Sequence, residues 1–355
     1  MVTPEAGGAG FALRYAGRVN SLLELAAIHA PTAERLRCEL AEVEVVFERQ
    51  LASDLPAVNA LCRHVERYRG KMLRPTLVLL TGLACRPEDP DGPLSEGHRV
   101  VGAVTEMIHM ATLVHDDVLD EAEIRRKGAT VNHLRGNEMA VMLGDYLISN
   151  AYHLCSKLGA ALGDPTIAVI LGETTNTLCE GELVQLHHRD NLSLDEATYF
   201  EIVRRKTAAL VGVCCRLGAS LSGAAPEVVD ALRRFGIALG IAFQIQDDLL
   251  DLVGRPEVVG KSLGRDLDKG KLTLPVILHL AAADPPARSE AIELIGARDA
   301  ETLRGRLGES GAIDAARERA HALVEEARDV LTAVPPTPAR ALLAAMADAV
   351  VARDW

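Results

Sequence analysis

Two apolar stretches, EMIHMATLVHDDVLD and LGIAFQIQDDLLD, run into the same acidic pattern, Asp-Asp-x-x-Asp, about 130 positions apart. The first copy holds Asp116, Asp117 and Asp120, the second Asp247, Asp248 and Asp251. With Asp at roughly 6% of an average chain, fewer than about 0.1 such patterns are expected by chance at this length. The flanks read as helix, which puts the first and third Asp of each copy on one face, four residues apart. Like charges so placed cost an isolated helix roughly 0.2 to 0.5 kcal/mol per pair, and burying them without a counter-charge costs far more. A fold that buries these two helices must therefore bring positive charge to their ends. Mg2+ suits, because it takes one or two carboxylates and completes its shell with water and phosphate oxygens. The alternating oxygen ligands and Gly of a calcium loop are missing from both copies. The plain alternative, two solvated acidic helix ends, is weakened by finding the pattern twice within apolar helices.

The rest of the chain predicts an all-α fold. Ala, Leu, Glu and Arg dominate, and apolar positions recur every three and four residues, as in SLLELAAIHAPTAERLRCELAEVEVVFERQL. Alternating strands are not evident. Short Gly/Pro-rich breaks at Arg86–Pro93, Ala283–Ala287 and Val334–Pro338 have the length of interhelical loops. No interior linker separates two cores, so residues 21–355 read as one large domain behind a loose tail, residues 1–20. The expected architecture is a bundle of roughly ten or more helices around a central active-site cavity.

A net charge of −12 argues against nucleic acid as a partner, since binding phosphate backbones needs basic surface. No stretch offers 18 uninterrupted apolar residues; the best, TAALVGVCCRLGASLSGAA, carries Arg216, and a signal-peptide pattern is lacking. A cytoplasmic location is expected, with peripheral membrane contact left open. Seven Cys, odd in number and without a C-x-x-C pair, read as reduced core thiols.

Basic residues gather near the acidic motifs. Arg125 and Arg126 follow the first; Lys261 and Lys271 follow the second in GKSLGRDLDKGKLTLP; Lys71 and Arg74 stand in GKMLRP on the expected first turn of a helix; Lys206 and Thr207 stand in VRRKTAALVG. Singly, each reads equally well as a solvated charge. As a set they fit phosphate: Arg offers a bidentate fork and Lys a point charge, and six Asp could hold about three Mg2+ per active site, leaving bound diphosphate in need of cations. Two phosphorylated substrates follow.

The motifs GKMLRP, IHMATLVHDDVLDEAEIRRKG, LGDYL, GELVQL, RRKTAAL, FQIQDDLLD and GKSLGRDLDKGKLTLP resemble, in order, those of the trans-type isoprenyl diphosphate synthases of the polyprenyl synthetase family. The resemblance runs from about residue 40 to residue 355. It implies an all-α homodimer that uses Mg2+ to condense isopentenyl diphosphate with an allylic prenyl diphosphate. By motif position, Asp116, Asp120, Asp247 and Asp251 would bind Mg2+, with Asp117 and Asp248 completing the clusters. Arg125, Lys206, Thr207 and Gln244 would contact the allylic partner. Lys71, Arg74, His109 and Arg126 would hold isopentenyl diphosphate, and Lys261 and Lys271 match a lid over the diphosphate. His115 is expected to support the motif as a hydrogen-bond partner, while His187 and His188 read as surface.

Such residues suit the chemistry, because departing diphosphate needs cations and the allylic cation needs a dry, weakly polar wall such as Phe243, Thr207 and Gln244. Residues four and five before the first motif line the growing tail in this family. Here they are Thr112 and Ala111, both small. At 1.5 Å per residue, the helix from Asp116 back to Val100 offers about 24 Å of wall, which favours an all-trans product of about C30 to C50, used for a quinone side chain. Three rivals remain. A short-chain geranylgeranyl or farnesyl diphosphate synthase would share the site. A terpene cyclase would carry a different second metal motif. A non-catalytic partner subunit would be expected to have lost one of the motifs.

Overall fold

The computed structural model describes residues 29–66, 70–125, 128–254 and 264–352. The expected tail, residues 1–20, and the candidate site residues Arg126 and Lys261 lie outside the described residues. The all-α expectation is met. The first half is built from α1 (Ala30–Leu51), α2 (Pro56–Glu66), α3 (Leu73–Ala84), α4 (Glu96–Leu119), α5 (Val131–Arg135), α6 (Asn137–Leu162) and α7 (Thr166–His187). The second half holds α8 (Glu196–Val203), a π-helical turn (Arg204–Ala208), α9 (Ala209–Leu221), α10 (Pro226–Val253), α11 (Arg265–Asp268), α12 (Leu274–Ala282), α13 (Pro285–Gly296), α14 (Ala300–Glu309), α15 (Ala312–Val330) and α16 (Pro338–Val351).

Local signals start these helices where the sequence places them. Asp195 caps α8 by accepting from Thr198 N at 2.7 Å, Asp284 and Asp299 cap α13 and α14 in the same way, and Pro opens α10, α13 and α16 at the position that needs no amide donor. One expectation needs adjustment. Lys71 precedes α3 rather than riding on its first turn, because Met72, at φ 53°, turns the chain just before Leu73.

The two motif-bearing helices are the central ones. Every residue of α4 from Val100 to Ile108 is buried, as befits a helix apolar on all sides. It packs on α1, α3, α6 and α9. Helix α10 separates two hydrophobic clusters: Phe235, Leu239 and Ala242 join the larger one around α3, α4 and α9, while Ile241, Ile245, Leu249 and Leu252 join that of α8, α12, α14 and α15. A charge within this interior is matched: Glu39 of α1 accepts from Arg99 Nε at 2.7 Å and from Leu94 N at 3.0 Å.

After α4 two short strands pair antiparallel, β1 (Ile124–Arg125) against β2 (Gly128–Ala129), with Ile124 opposite Ala129. The sequence gives no signal for this pairing. All seven Cys are free, but Cys38 and Cys179 are exposed, so the reading of all seven as core thiols fails for these two. Helices α3 and α9 touch through Gly218, where a Cβ would lie 2.2 Å from both Thr81 Oγ1 and Val78 O. Gly218→Ala is expected to destabilise the fold by roughly 1 to 3 kcal/mol. The check is a lower urea midpoint at unchanged slope.

Candidate active site

Both acidic motifs sit at helix C-termini. Asp120 caps the end of α4, and Asp247, Asp248 and Asp251 occupy the last two turns of α10. The backbone carbonyls there already carry negative partial charge, so each carboxylate is placed against its own helix dipole. The surrounding residues answer that charge.

Within each motif the middle aspartate is spent internally. Asp117 is 1% exposed, and the strand pair folds Arg125 back onto it, with Nε 2.8 Å and Nη2 2.7 Å from Oδ1. Asp248, 7% exposed, accepts at Oδ2 from Tyr199 Oη at 2.7 Å and at Oδ1 from Gln244 Nε2 at 2.8 Å. Burial pushes both carboxyls above their ordinary range, with these donors working against it. The outer aspartates are more open: the side chains of Asp116 and Asp120 are 25% and 24% exposed, Asp247 is exposed and Asp251 half-buried.

Two segments bridge the motifs. The first is the π-helical turn, whose extra residue per turn presents neighbouring side chains in different directions. Lys206 lies 3.8 Å from Asp116 Oδ2 and is paired with Glu182 of α7, while the adjacent Thr207 donates to Gln244 Oε1 at 3.0 Å, next to Asp248. Burial would lower the Lys206 ammonium, but Asp116 and Glu182 together hold it above its ordinary value. The second bridge runs from Gly264 to Lys271. At one end Asp266 N donates to Asp251 Oδ2 at 3.1 Å and Gly264 N to Asp251 O at 2.9 Å. At the other, Lys271 Nζ lies 2.9 Å and 3.1 Å from the two Asp120 oxygens, and Lys269 joins it on the same residue. Burial raises the Asp120 carboxyl, yet these lysines bring it below the ordinary value.

The structure thus gathers Asp116, Asp117, Asp120, Arg125, Lys206 and Lys271, and connects them to Thr207, Gln244 and the second motif. Arg74 stands apart. Its guanidinium is near Glu106, on the order of 15 Å along α4 from Asp116, and its buried Nε has no hydrogen-bond partner. Lys71 is exposed and His109 half-buried. His115 does not support the motif as expected: its ring lies over Gly144 of α6, with Nε2 3.2 Å from Val141 O and 3.5 Å from Asp145. His187 is exposed and His188 half-buried, their rings edge to face. Sequence reasoning missed Glu182, Lys269 and Tyr199. Glu182 and Lys269 lie inside recognised motifs, GELVQL and GRDLDKGKLTLP; Tyr199, seven positions before Lys206, carries no signal of its own.

Comparison with known proteins shows the family. The polyprenyl synthetase family model matches residues 56–305, and the chain belongs to that family. It is 32% identical over 321 residues to the octaprenyl diphosphate synthase of Escherichia coli (strain K12), covering 89% of this chain and 96% of that one. It is 34% identical over 315 residues to a short chain isoprenyl diphosphate synthase of Methanothermobacter thermautotrophicus, covering 86% and 94%. Among solved structures, it resembles a polyprenyl synthase from Caulobacter crescentus complexed with calcium and isoprenyl diphosphate, with a TM-score of 0.82, 31% identity and 99% of each chain covered.

The π turn reaches its place because α7 has no side chain at Gly181, where a Cβ would lie 2.6 Å from Lys206 N and 2.9 Å from Arg205 Cβ. Gly181→Ala should push the turn, and with it Lys206, away from Asp116. Polyprenyl-forming turnover is expected to fall by about tenfold or more, since shifts near 1 Å can cost that much. The unfolding midpoint, measured alongside, separates this from loss of fold.

Proposed function

We propose that the protein is a Mg2+-dependent prenyltransferase that condenses isopentenyl diphosphate with an allylic diphosphate, farnesyl or geranylgeranyl, by ionisation, condensation and elimination. The observation that carries this reading is the pair of bridges just described, which ties lysines and open carboxylates of the two helix ends together. The relatives' names support prenyl diphosphate synthesis.

The residues fit the metal. Their donors are all carboxylate oxygens, and the outer aspartates are the ones left open. Among the described residues no three acidic, imidazole or thiol groups stand together as a ready-made site. That is compatible with Mg2+, which takes one or two carboxylates and draws its other ligands from water and diphosphate. Asp116, Asp120, Asp247 and Asp251 would hold about three ions, which when bound would neutralise the departing diphosphate.

Lys206 supplies a fixed positive charge for the leaving oxygen. Arg125 offers its remaining donors to the allylic diphosphate, and Lys271 moves from Asp120 to that diphosphate, with Lys261 completing the lid. The oxygens of Thr207 and Gln244 face the allylic cation with water excluded. On the acceptor side, Arg74, whose buried Nε has no hydrogen-bond partner, would bind isopentenyl diphosphate together with Lys71, His109 and, by motif position, Arg126.

Product length rests on α4. A short-chain relative is as similar as a long-chain one, so likeness alone does not decide it. Ala111 is fully buried, and the Thr112 hydroxyl donates back to His109 O at 2.8 Å, turning its polarity away from a wall for an apolar tail. We infer an all-trans product of about C30 to C50 along this wall, destined for a quinone side chain. No described helix is long and apolar enough to cross a membrane. A cytoplasmic enzyme with peripheral membrane contact for product release is the reading we favour.

Incubating the protein with Mg2+, isopentenyl diphosphate and farnesyl diphosphate should give a ladder ending near C30 to C50 by mass spectrometry, abolished by EDTA. Elongation stopping at C20 would keep the chemistry but show that a residue further along α4 or its neighbours closes the pocket. Absence of any elongation would point to a partner subunit. Ala111→Phe should shorten the final product, and an unchanged ladder would remove Ala111 from the wall. For the homodimer, large apolar side chains stay exposed on α6 and α7, Met142 at 64% and Leu183 at 66% among them. Met142→Glu with Leu183→Glu should convert a dimer to a monomer by light scattering. A monomeric wild type would overturn the assignment.

A further inference from the structure

The chain Thr207–Gln244–Asp248–Tyr199 has a directional property. A glutamine amide is nearly symmetric in shape, and hydroxyls both donate and accept, so Thr207 tolerates Gln244 in either orientation. What breaks the symmetry is Asp248: its Oδ2 accepts from Tyr199 Oη at 2.7 Å and its Oδ1 accepts from Gln244 Nε2 at 2.8 Å, which sets the amide with its nitrogen toward the carboxyl. Oε1 then faces Thr207, whose hydroxyl must donate to it. This leaves Gln244 Oε1 and the lone pairs of Thr207 Oγ1, rather than N–H groups, on the side of the π turn. Oxygen lone pairs stabilise a nearby carbocation, and an amide N–H would oppose it.

Asp248 keeps this role only while each of its two buried oxygens has its own donor. Among the described residues, Tyr199, 4% exposed, gives it the one side-chain hydrogen bond from outside its own helix. The phenol reaches across from α8 to Oδ2, so Oδ1 is left for Gln244. A buried carboxyl robbed of one of its two donors turns toward another partner, and Gln244 is then no longer held.

We propose that Tyr199 is a positioning residue for prenyl transfer, fixing the orientation of the Gln244 amide through Asp248 so that oxygen faces the allylic cation. This rests on the functional reading above. Tyr199 touches no substrate; its effect passes through Asp248 and Gln244.

The test is a double-mutant cycle of Tyr199→Phe and Gln244→Leu. Tyr199→Phe should lower kcat by about 10- to 100-fold, with KM for farnesyl diphosphate and calorimetric affinity for its non-reacting thiolodiphosphate analogue, with Mg2+, changed less than about threefold. In the Gln244→Leu background the same change should cost less than about twofold, since the group being oriented is gone. Additive losses, or a fall in analogue affinity matching the fall in kcat, would show a merely structural phenol and overturn the proposal. Wild-type turnover in Tyr199→Phe would do the same. Full activity in Gln244→Leu would instead remove Gln244 from the functional reading, which keeps the two failures apart. Should Tyr199→Phe not fold, Asp248→Asn serves, because an NH2 then replaces one of the two oxygens that accept from Tyr199 and Gln244; turnover within twofold of wild type would overturn the proposal.

Discussion

Six aspartates at the C-terminal ends of two buried helices repel one another, and each also faces the negative pole of its own helix. Left alone, α4 and α10 would be driven apart at the end where they carry their motifs. The structure answers with a division of labour. Asp117 and Asp248 are taken into the interior and satisfied there, by Arg125 and by Tyr199 with Gln244, so that they help hold the frame. Asp116, Asp120, Asp247 and Asp251 remain more open, and the positive charge they need is supplied partly by lysines.

Those lysines arrive on two segments, and each segment touches both motifs. The π turn puts Lys206 beside Asp116 and Thr207 beside Gln244, its extra residue shifting the register of the side chains relative to a regular helix. The Gly264–Lys271 segment ties Asp251 through backbone amides and Asp120 through Lys269 and Lys271. The site is thus crosslinked by its counter-charges, and packing supports it from behind: Gly181 admits the π turn, and Ile245 and Leu249 seat α10 on the C-terminal helices. Substrate and metal enter a region whose electrostatic frame is already in place, which reduces the rearrangement that binding must bring about.

Much of this was legible in the residues alone. Doubled motifs in apolar helices announce paired acidic sites, the three-and-four periodicity announces an all-α bundle, and the cations that the charge argument demands at Arg125, Lys206 and Lys271 stand where it requires them. The misses share a cause. His115 is next to Asp116 in the chain but one residue of helix turns its ring toward α6. Glu182, Lys269 and Tyr199 meet the motifs only through folding, across separations of 66, 149 and 49 residues that no local pattern encodes.

By itself the sequence determined the kinds of groups, their spacing within each helix and the sign of charge that must meet them, because periodicity and Coulomb repulsion act over a few residues and are written into the order of side chains. That page sets the first and third aspartates of a motif on one helix face and the middle one off it. Only the tertiary structure decided which of them is structural and which is open, since that depends on the rotation of α4 and α10 about their axes and on which neighbours, Arg125, Tyr199, Lys206 or Lys271, the packing of other helices carries to them.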